Sequence, residues 1–444
     1  MTAADPLPIT RRRALAALAA PVIARSDDAF LEDLSRRCFA FFAEMCGTGT
    51  GLVLDRGRSD GTRVPHAENI ASIAATGFGL TAWCIAAERR WVTRADAERR
   101  VVDMLRVFAD PARGEHGWFY HFIDATTAER AWKCELSSID TALLLAGVLT
   151  CRQYFARHAE IPRLATSIYE RIDFGWMRAG SAGVLSHGWK PDSGFLPHWW
   201  SRYSEANILY LMAIGSPTHP TPPDTWYQWL RPVERYGVYA YVSGGPLFTH
   251  QYSHAWVDFR GLRDAAPSNM DWFKNSVVAT RAQRAFCIDM ASKFPKSYSA
   301  NVWGVTASDS RRGYRAWGEP SRPKEIDGTV VPCAAGGSLM FAPELCVPAL
   351  RAMRDKFGER IWVRYGFVDA FNPTTDWVDT DVLGIDQGIT LLSAENLRSG
   401  NVWRWFMANP EIRRALDLAR FRRTGVSPRG AAAGAGATGK AHRR

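Results

Sequence analysis

The chain of 444 residues lacks several patterns that define other classes of protein. It has no stretch of 18 continuous apolar residues, which excludes a typical membrane-spanning helix. Its eight cysteines form no C-x-x-C pair and no zinc-ligand spacing. It also has no G-x-S-x-G elbow and no glycine-rich phosphate loop, which argues against an α/β-type serine hydrolase and a nucleotide-binding enzyme.

A basic surface in the middle of the chain is absent as well, although the net charge is +10. Residues 1–25 contribute +3 and residues 422–444 contribute +6, which leaves about +1 for the rest. A nucleic-acid-binding protein needs clustered basic residues on its folded surface. The distribution therefore predicts no nucleic-acid partner.

The two ends of the chain differ from its middle. Paired arginines at 11–13 precede an apolar stretch from Ala14 to Ala24, which is typical of a twin-arginine signal peptide. A solvated basic start of the first helix is the alternative. We expect residues 1–25 to be removed and the protein to be periplasmic or secreted, with no membrane partner after cleavage. Residues 424–444 are rich in Gly and Ala and predict a disordered basic tail.

Between the ends, helical patterns alternate between buried and surface types. Three segments are apolar on nearly every side and predict buried helices: 71–87, 137–155 and 204–214. Three amphipathic segments follow them and predict surface helices: 93–108, 161–176 and 222–234. Residues 343–355 are amphipathic and 384–405 mostly apolar. The alternation predicts an all-α fold, the (α/α)6 barrel, with an α-solenoid as the alternative.

Residues 236–335 interrupt this alternation, since they are rich in Gly, Tyr, Trp, His and Pro. Only residues 272–293 predict a clear helix there. We expect long loops that fold partly over one mouth of the barrel.

Three acidic residues stand at the heads of buried helices: Asp140, Glu205 and Asp386. A single acid in such a place is adequately explained as a helix cap, because carboxylates interact favourably with the helix dipole. The inner helices of a helical barrel run parallel, so their N-termini meet at one mouth. Three acids at these positions therefore predict one shared cavity.

Two carboxyl groups in one cavity can cleave a glycosidic bond, one as general acid and the other as base or nucleophile. Aromatic residues beside Glu205 would raise its pKa by desolvation, so Glu205 is the candidate acid. Asp386 lies between glycines that permit close approach and is the candidate base. Asp140 is expected to hold the water or to tune either partner.

The 18 Trp either form a heavy core or, where exposed, bind sugars, because indoles stack on sugar rings. The polar aromatic segment at 248–260 is also suited to binding sugars. His250 and His254 stand four residues apart, as metal ligands on a helix do, but no Glu lies between them, and sugar recognition is the preferred interpretation. Asp258 and Arg260 are either sugar ligands or a structural ion pair. The candidate substrate-binding residues are Trp200, Arg202, Tyr203, His250, Tyr252, His254, Trp256, Asp258, Arg260, Trp303, Asn372 and Asn396, with Asn301 and Tyr314 as further lining candidates.

These segments resemble the bacterial glucoamylase-like proteins of glycoside hydrolase family 144, which include endo-β-1,2-glucanases. The matching stretches include Ser138–Gly147, Tyr203–Pro220, Leu247–Arg260 and Gly384–Trp403, within roughly residues 50–412. The resemblance implies an (α/α)6 catalytic domain over residues 28–423 and hydrolysis of β-1,2-glucan with inversion. Glu205 matches the family's proposed general acid, Asp386 a proposed base and Asp140 a further acid at the cleft.

We expect a monomer that needs no cofactor or metal and whose partner is a β-glucan oligo- or polysaccharide. Endo and exo action stay open, since they depend on how the loops at 236–335 close the cleft. The alternatives are an exo-acting, disaccharide-releasing enzyme, a transglycosylating relative on another β-glucan, and a glucan-binding barrel without catalysis.

Overall fold

The computed structural model describes residues 23–424 except residues 111, 112, 182 and 321. All of the predicted tail except Thr424, and all but the last three residues of the predicted signal peptide, lie outside the described residues. Helices make up 46% of the structure. The 13 helices of the described residues are α1 Arg25–Glu44, α2 Ile73–Glu88, α3 Arg94–Ala109, α4 Ser138–Tyr154, α5 Ile161–Glu170, α6 Asn207–Gly215, α7 Tyr252–Trp256, α8 Trp272–Met290, α9 Pro332–Gly336, α10 Pro343–Phe357, α11 Gly384–Arg398, α12 Asn401–Phe406 and α13 Pro410–Leu418.

Short strands join the helices, so the fold is mostly helical and not purely α. The strands are β1 Arg56–Arg58, β2 Ile70–Ser72, β3 Phe122–Asp124, β4 Leu136–Ser137, β5 Gly188–Lys190, β6 Gly194–Phe195, β7 Val233–Tyr236, β8 Tyr239–Val242, β9 Leu262–Arg263, β10 Trp362–Val363, β11 Gly366–Phe367, β12 Phe371–Asn372, β13 Trp377–Val378, β14 Asp381–Leu383 and β15 Arg422–Arg423. Antiparallel pairing links β1 with β14, β2 with β3, β4 with β5, β5 with β6, β7 with β8, β9 with β15, β10 with β11, and β12 with β13.

Three strands lead directly into buried helices. Strand β2 precedes α2, β4 precedes α4 and β14 precedes α11. The last residues of β2 and β4, Ser72 and Ser137, are N-caps whose hydroxyls accept from Ala75 N and Asp140 N. Thr93 caps α3 by accepting from Asp96 N, as its capping pattern predicts. Serine and threonine caps thus fix where the buried and surface helices begin.

Helices α2 and α4 are in direct backbone contact. A Cβ at Gly147 would lie 2.1 Å from Gly77 O, and a Cβ at Gly77 would lie 2.2 Å from Leu143 O. Neither position has room for a side chain. The small residues of these apolar segments therefore set the distance between the two helices.

The other buried helices are joined by specific contacts. Ser253 of α7 donates to Glu205 O and accepts from Ile208 N of α6 at 2.9 Å. Gln251, at the head of α7, donates 2.9 Å to Ala334 O of α9. Gly336 of α9 packs on Thr390 of α11, where a Cβ would lie 2.5 Å from Thr390 Oγ1. Each buried helix thus has a packed buried neighbour.

Three predicted helices differ from the observed ones. Residues 222–234 form only a 3-10 turn at Pro223–Tyr227 and then enter β7, because prolines at 222, 223 and 232 interrupt a continuous helix. Helix α5 ends at Glu170 and not at residue 176. The predicted helix at 384–405 is two helices, α11 and α12, separated at Gly400, whose φ of +67° favours glycine.

Within the described part of the chain, no helix combines the length and apolar character needed to cross a bilayer. All eight cysteines are free thiols. The buried Cys84 of α2 and Cys151 of α4 are in contact, with their Sγ atoms 3.5 Å apart.

Candidate active site

A cavity of about 550 Å³ opens at the heads of α4, α6 and α11. It brings together the three acids that the sequence singles out, Asp140, Glu205 and Asp386. The other lining residues come from three parts of the chain: Asp55, Arg56, His66, Ser72, His121, Phe122, Trp132, Ile139 and Leu143; Phe248, Tyr252, Ala307 and Tyr314; and Leu383 and Ile385. The second group belongs to segment 236–335, so this segment does form part of the cavity wall.

Glu205 stands in the turn before α6 and is 9% exposed. Its backbone is fixed by the hydroxyl of Ser253, which donates to Glu205 O. Burial raises the pKa of Glu205 to about 7, its own backbone N–H opposes the shift, and the nearby Asp140 adds to it. A carboxyl group with such a pKa retains its proton near neutral pH and can donate it.

Asp386 stands in the first turn of α11 and is 5% exposed. The glycines on either side let α11 approach α2: a Cβ at Gly388 would lie 2.3 Å from Phe78, and one at Gly384 would lie 2.8 Å from Ala75. Burial raises the pKa of Asp386 to about 6, against the lowering effect of hydrogen bonds with the side chains of Asp369 and Cys333. Asp386 can therefore accept a proton near neutral pH.

Asp140 caps α4 and also faces the cavity. Its N–H donates to the Ser137 hydroxyl, and that hydroxyl donates back to the carboxylate. His121 Nε2 lies 3.5 Å from Asp140 Oδ2, and His121 Nδ1 lies 3.1 Å from Glu135 Oε1. Burial opposes a charge on His121, but Asp140 and Glu135 outweigh it and raise the pKa of His121. Asp140 therefore takes part in the N-terminal cap of α4 and also lines the cavity.

Aromatic side chains form much of the cavity wall. Trp132 is 54% exposed and contacts Phe122, with ring centroids 5.0 Å apart. Tyr252 and Tyr314 face both Asp386 and Glu205, and these carboxylates add to the effect of burial in raising the pKa of both tyrosines. Exposed indole beside buried carboxyl groups is a suitable arrangement for binding a sugar ring.

Further carboxylates surround Arg56 at the edge of the cavity. Its guanidinium contacts Asp55 at 3.0 Å, Asp309 at 2.8 Å and Asp381 at 3.4 Å. Oxygens of Asp309, Asp369 and Asp379 lie within 4.8 Å of one another. Asp309 accepts from Arg56 at 2.8 Å, Asp369 Oδ2 accepts from Asp309 N at 2.7 Å, and Asp379 accepts from Asp381 N at 3.0 Å. These contacts make the three carboxylates part of one hydrogen-bond network.

Several predicted substrate-binding residues lie in the packed core, outside the cavity lining. His250 and His254 are each 1% exposed, and burial lowers the pKa of both to about 3. His250 bonds the hydroxyl of Tyr203 at 3.1 Å, and His254 bonds Ser276 at 3.1 Å. Neutral, buried imidazoles with these partners support packing, which corrects the expectation that they meet a sugar.

Four more candidates also lie away from the cavity lining, and three of them have hydrogen-bond partners inside the protein. Trp256 donates to Thr81 and Asn396 donates to Ala255 O. Trp303 is fully buried. Asn372 bonds Asp327 and lines a separate cavity of about 270 Å³. Their geometry thus gives no contact with the cavity that holds the acids.

The remaining candidates divide between the core, the surface and the cavity. Tyr203 stacks on Trp272, Trp200 donates to Ser138, and Arg202 is exposed outside the cavity. Asp258 and Arg260 form an ion pair at 2.8 Å with Arg260 over Trp403, which favours the structural alternative. Tyr252 and Tyr314 are the predicted binding residues that line the cavity, and Asn301 is exposed outside it.

The sequence alone does not single out Arg56, His121, Trp132 and Asp369. Arg56 and His121 stand in or beside short strands that show no clear alternation, so no periodic signal marks them. Asp369 is a lone acid in the apolar segment 366–371, and that isolation was the signal available.

Known proteins that resemble this chain include enzymes that act on β-1,2-glucan. The Glycoamylase family, described as glucoamylase, matches residues 197–410. An endo-β-1,2-glucanase from Chitinophaga pinensis, solved with sophorotriose and glucose, superposes with a TM-score of 0.83 at 27% identity, over 90% of this chain and 99% of that one. A β-1,2-glucanase from Parabacteroides distasonis gives a TM-score of 0.80 at 25% identity, over 89% of this chain and 60% of that one.

An exo β-1,2-glucooligosaccharide sophorohydrolase from the same species is 25% identical over 430 residues. The match covers 88% of this chain and 58% of that protein's length.

Buried carboxylic acids that share one open cavity are the arrangement that glycoside-cleaving enzymes with paired carboxyl groups use. The chain resembles the glucoamylase-like family over residues 197–410, and its relatives include enzymes that cleave β-1,2-glucan. Both endo- and exo-acting enzymes occur among these relatives.

Proposed function

We propose that this protein hydrolyses β-1,2-glucan with inversion of the anomeric configuration. The observation that supports this most is the meeting of Glu205 and Asp386 in one cavity, with pKa values raised to about 7 and about 6. One group is then available as an acid and the other as a base in the same pH range.

In the proposed reaction, protonated Glu205 donates its proton to the glycosidic oxygen as the bond from that oxygen to the anomeric carbon breaks. Ionised Asp386 takes a proton from a water molecule, whose oxygen forms the new bond to that carbon from the opposite face. Glu205 is left ionised and Asp386 protonated, and exchange of one proton with solvent restores both. Asp140, held by Ser137 and His121, orients the water or the sugar hydroxyls.

The proposed scaffold is an (α/α)6 barrel with α2, α4, α6, α7, α9 and α11 as its inner ring. Contacts between successive members support it, from the Gly77–Gly147 approach of α2 and α4 to the Gly388–Phe78 approach of α11 and α2. Helices α3, α5, α8 and α10 pack outside and are amphipathic or half-buried. The acids then stand at the N-terminal mouth of the ring.

We also propose that the protein is exported through the twin-arginine route and acts outside the cytoplasm. The arginines at 11–13 and the apolar stretch that follows them support this. Mass analysis of protein recovered from the periplasm or medium tests it, since a chain still beginning at Met1 would contradict cleavage.

Purified protein incubated with linear β-1,2-glucan, laminarin and amylose tests the substrate. We expect new reducing ends from β-1,2-glucan alone, with the inverted anomer detected by NMR at early times. A ladder of products indicates endo action, whereas disaccharide alone indicates exo action. Transfer products longer than the substrate would indicate transglycosylation, and binding without cleavage would reject the enzymatic proposal.

The Glu205→Gln variant tests the acid, because glutamine keeps the shape but has no proton to donate. We expect kcat to fall at least about a hundredfold. Glu319→Gln is the matched control: burial also raises the pKa of Glu319, but Glu319 does not line the cavity. Equal turnover by wild type and Glu205→Gln would remove the assignment.

A further inference from the structure

Behind the cavity wall, a second carboxyl group meets the proposed base. Asp369 lies between β11 and β12, is 1% exposed and does not line the cavity. Its side chain lies within hydrogen-bonding distance of Asp386. Asp369 Oδ2 accepts from Asp309 N at 2.7 Å, which fixes the orientation of the carboxyl group.

Each member of this pair has one oxygen without a donor. Asp369 Oδ1 and Asp386 Oδ2 are both buried, and no N–H or O–H group of the described residues donates to either as ionised carboxylates. Two buried carboxylates in contact repel each other, whereas a carboxylic acid beside a carboxylate forms a strong hydrogen bond. A single proton shared by the two carboxyl groups therefore replaces the repulsion between them with a hydrogen bond.

The surroundings decide which carboxyl group holds the proton. Burial raises the pKa of Asp369 most, the charges of Asp386 and Asp379 add to it, and the N–H of Asp309 alone opposes. Asp386 is open to the cavity and has a second donor in the Cys333 thiol, which favours its ionised form. The proton consequently belongs to Asp369.

The other charged and titratable groups near the pair do not stabilise a second negative charge on it. Arg56 is paired with Asp55, Asp309 and Asp381. Among the groups that shift the pKa of Asp369 or Asp386 most, none is a cation. The groups facing the pair are Asp55, Arg56, Asp309, Tyr252, Tyr314, Cys333, Asp379 and Asp381. Four of these eight groups are carboxylates and one is an arginine, so an extra ionised carboxylate at 369 would be unfavourable.

We propose that Asp369 is a permanently protonated positioning residue, whose O–H donates to Asp386 and holds that base ionised and directed at the attacking water. This inference rests on the proposed function. Asp369 exchanges no proton in the reaction: the water proton goes to Asp386, and the proton of Asp369 stays where it is.

The test compares Asp369→Asn with Asp369→Ala. Asparagine reproduces the protonated acid, because its amide donates to Asp386 and its oxygen accepts from Asp309 N. We expect Asp369→Asn to retain kcat within about threefold. Asp369→Ala removes the donor, so kcat should fall at least about tenfold with little change in KM, and the acidic limb of the kcat profile should move to higher pH because Asp386 is harder to ionise.

Asp327→Asn is the matched control, since Asp327 accepts hydrogen bonds from Thr329 but does not line the cavity. It should leave kcat and its pH profile unchanged. An Asp369→Asn variant as impaired as Asp369→Ala, while folded by circular dichroism, would overturn the proposal, because the ionised form would then be the required one.

Infrared spectroscopy provides a test that needs no substrate. At about pH 8, where Glu205 is mostly ionised, wild type should retain the carbonyl band of a buried protonated carboxyl group. The band should vanish in Asp369→Asn and persist in Asp327→Asn. Its absence from wild type would reject the protonated Asp369 whether or not β-1,2-glucan is cleaved, and its presence in an inactive protein would reject only the proposed function.

Discussion

The dependence of kcat/KM on pH is the most direct consequence of the two raised pKa values. In the proposed mechanism Glu205 acts while protonated, so activity should be lost as the pH rises through about 7. Asp386 acts while ionised, so activity should be lost as the pH falls through about 6. The active combination therefore exists only in a narrow range.

The width of the profile follows from these two values. About 60% of the free enzyme holds the active combination near about pH 6.5, and about 9% does so at about pH 5 or about pH 8. We expect kcat/KM to fall about sevenfold from its maximum to either of those pH values. Because the charges of Asp386 and Asp369 interact, the pKa read from the acidic limb belongs to the pair and not to Asp386 alone.

Initial rates of reducing-end release at low β-1,2-glucan concentration, in buffers of constant ionic strength, measure the profile. The Glu205→Gln variant should keep the acidic limb and lose the basic one, because glutamine does not titrate. Glu319→Gln should retain both limbs. A wild-type rate that rises through pH 7, or a basic limb that persists unchanged in Glu205→Gln, would refute the assignment of Glu205 as the acid.

Three further predictions concern stability and binding. Since burial raises the pKa of Glu205 from 4.5 to about 7, its contribution to stability is full below pH 4.5 and lost as the pH rises through 7. Glu205→Gln should consequently be more stable than wild type by about 3 kcal/mol at about pH 8 and show no such gain at about pH 4 in thermal unfolding. Gly147→Ala should destabilise the fold by at least about 1–3 kcal/mol in denaturant unfolding, because its Cβ would meet the backbone of α2. Gly175→Ala is the control and should destabilise the fold less, because its Cβ would meet only a flexible side chain at 3.2 Å. Trp132→Ala should raise KM about tenfold with kcat little changed, while Trp199→Ala, outside the cavity, should leave KM unchanged in the same assay.

Local sequence predicts the helices well where caps and apolar content agree. The heads of α3 and α4 follow from Thr93 and Ser137, and the buried faces of α2 and α11 follow from long apolar segments. The acids at these heads could be placed near one another because inner helices of a barrel share a direction. The failure at 222–234 shows that amphipathic spacing does not outweigh three prolines.

The rest of the site depends on pairing between distant segments, which no local pattern encodes. His121 reaches Asp140 because Tyr120 pairs with Leu136 and His121 N donates to Glu135 O at 2.9 Å, just before α4. Asp369 reaches Asp386 through loops that join short strands. The histidines of the polar aromatic segment illustrate the opposite error. His250 and His254 have the composition of a sugar site, but a short helix turns them into the core, where hydroxyl groups satisfy them.

The pairing of β1 with β14 joins residues 56–58 to residues 381–383 across nearly the whole chain. A nascent chain or a fragment that stops before residue 381 can contain Asp140 and Glu205 without the strand that anchors Arg56 or the helix that bears Asp386. Contacts between such distant residues form slowly during folding. Enzymatic turnover would thus begin only when synthesis is nearly complete and the final helices have docked.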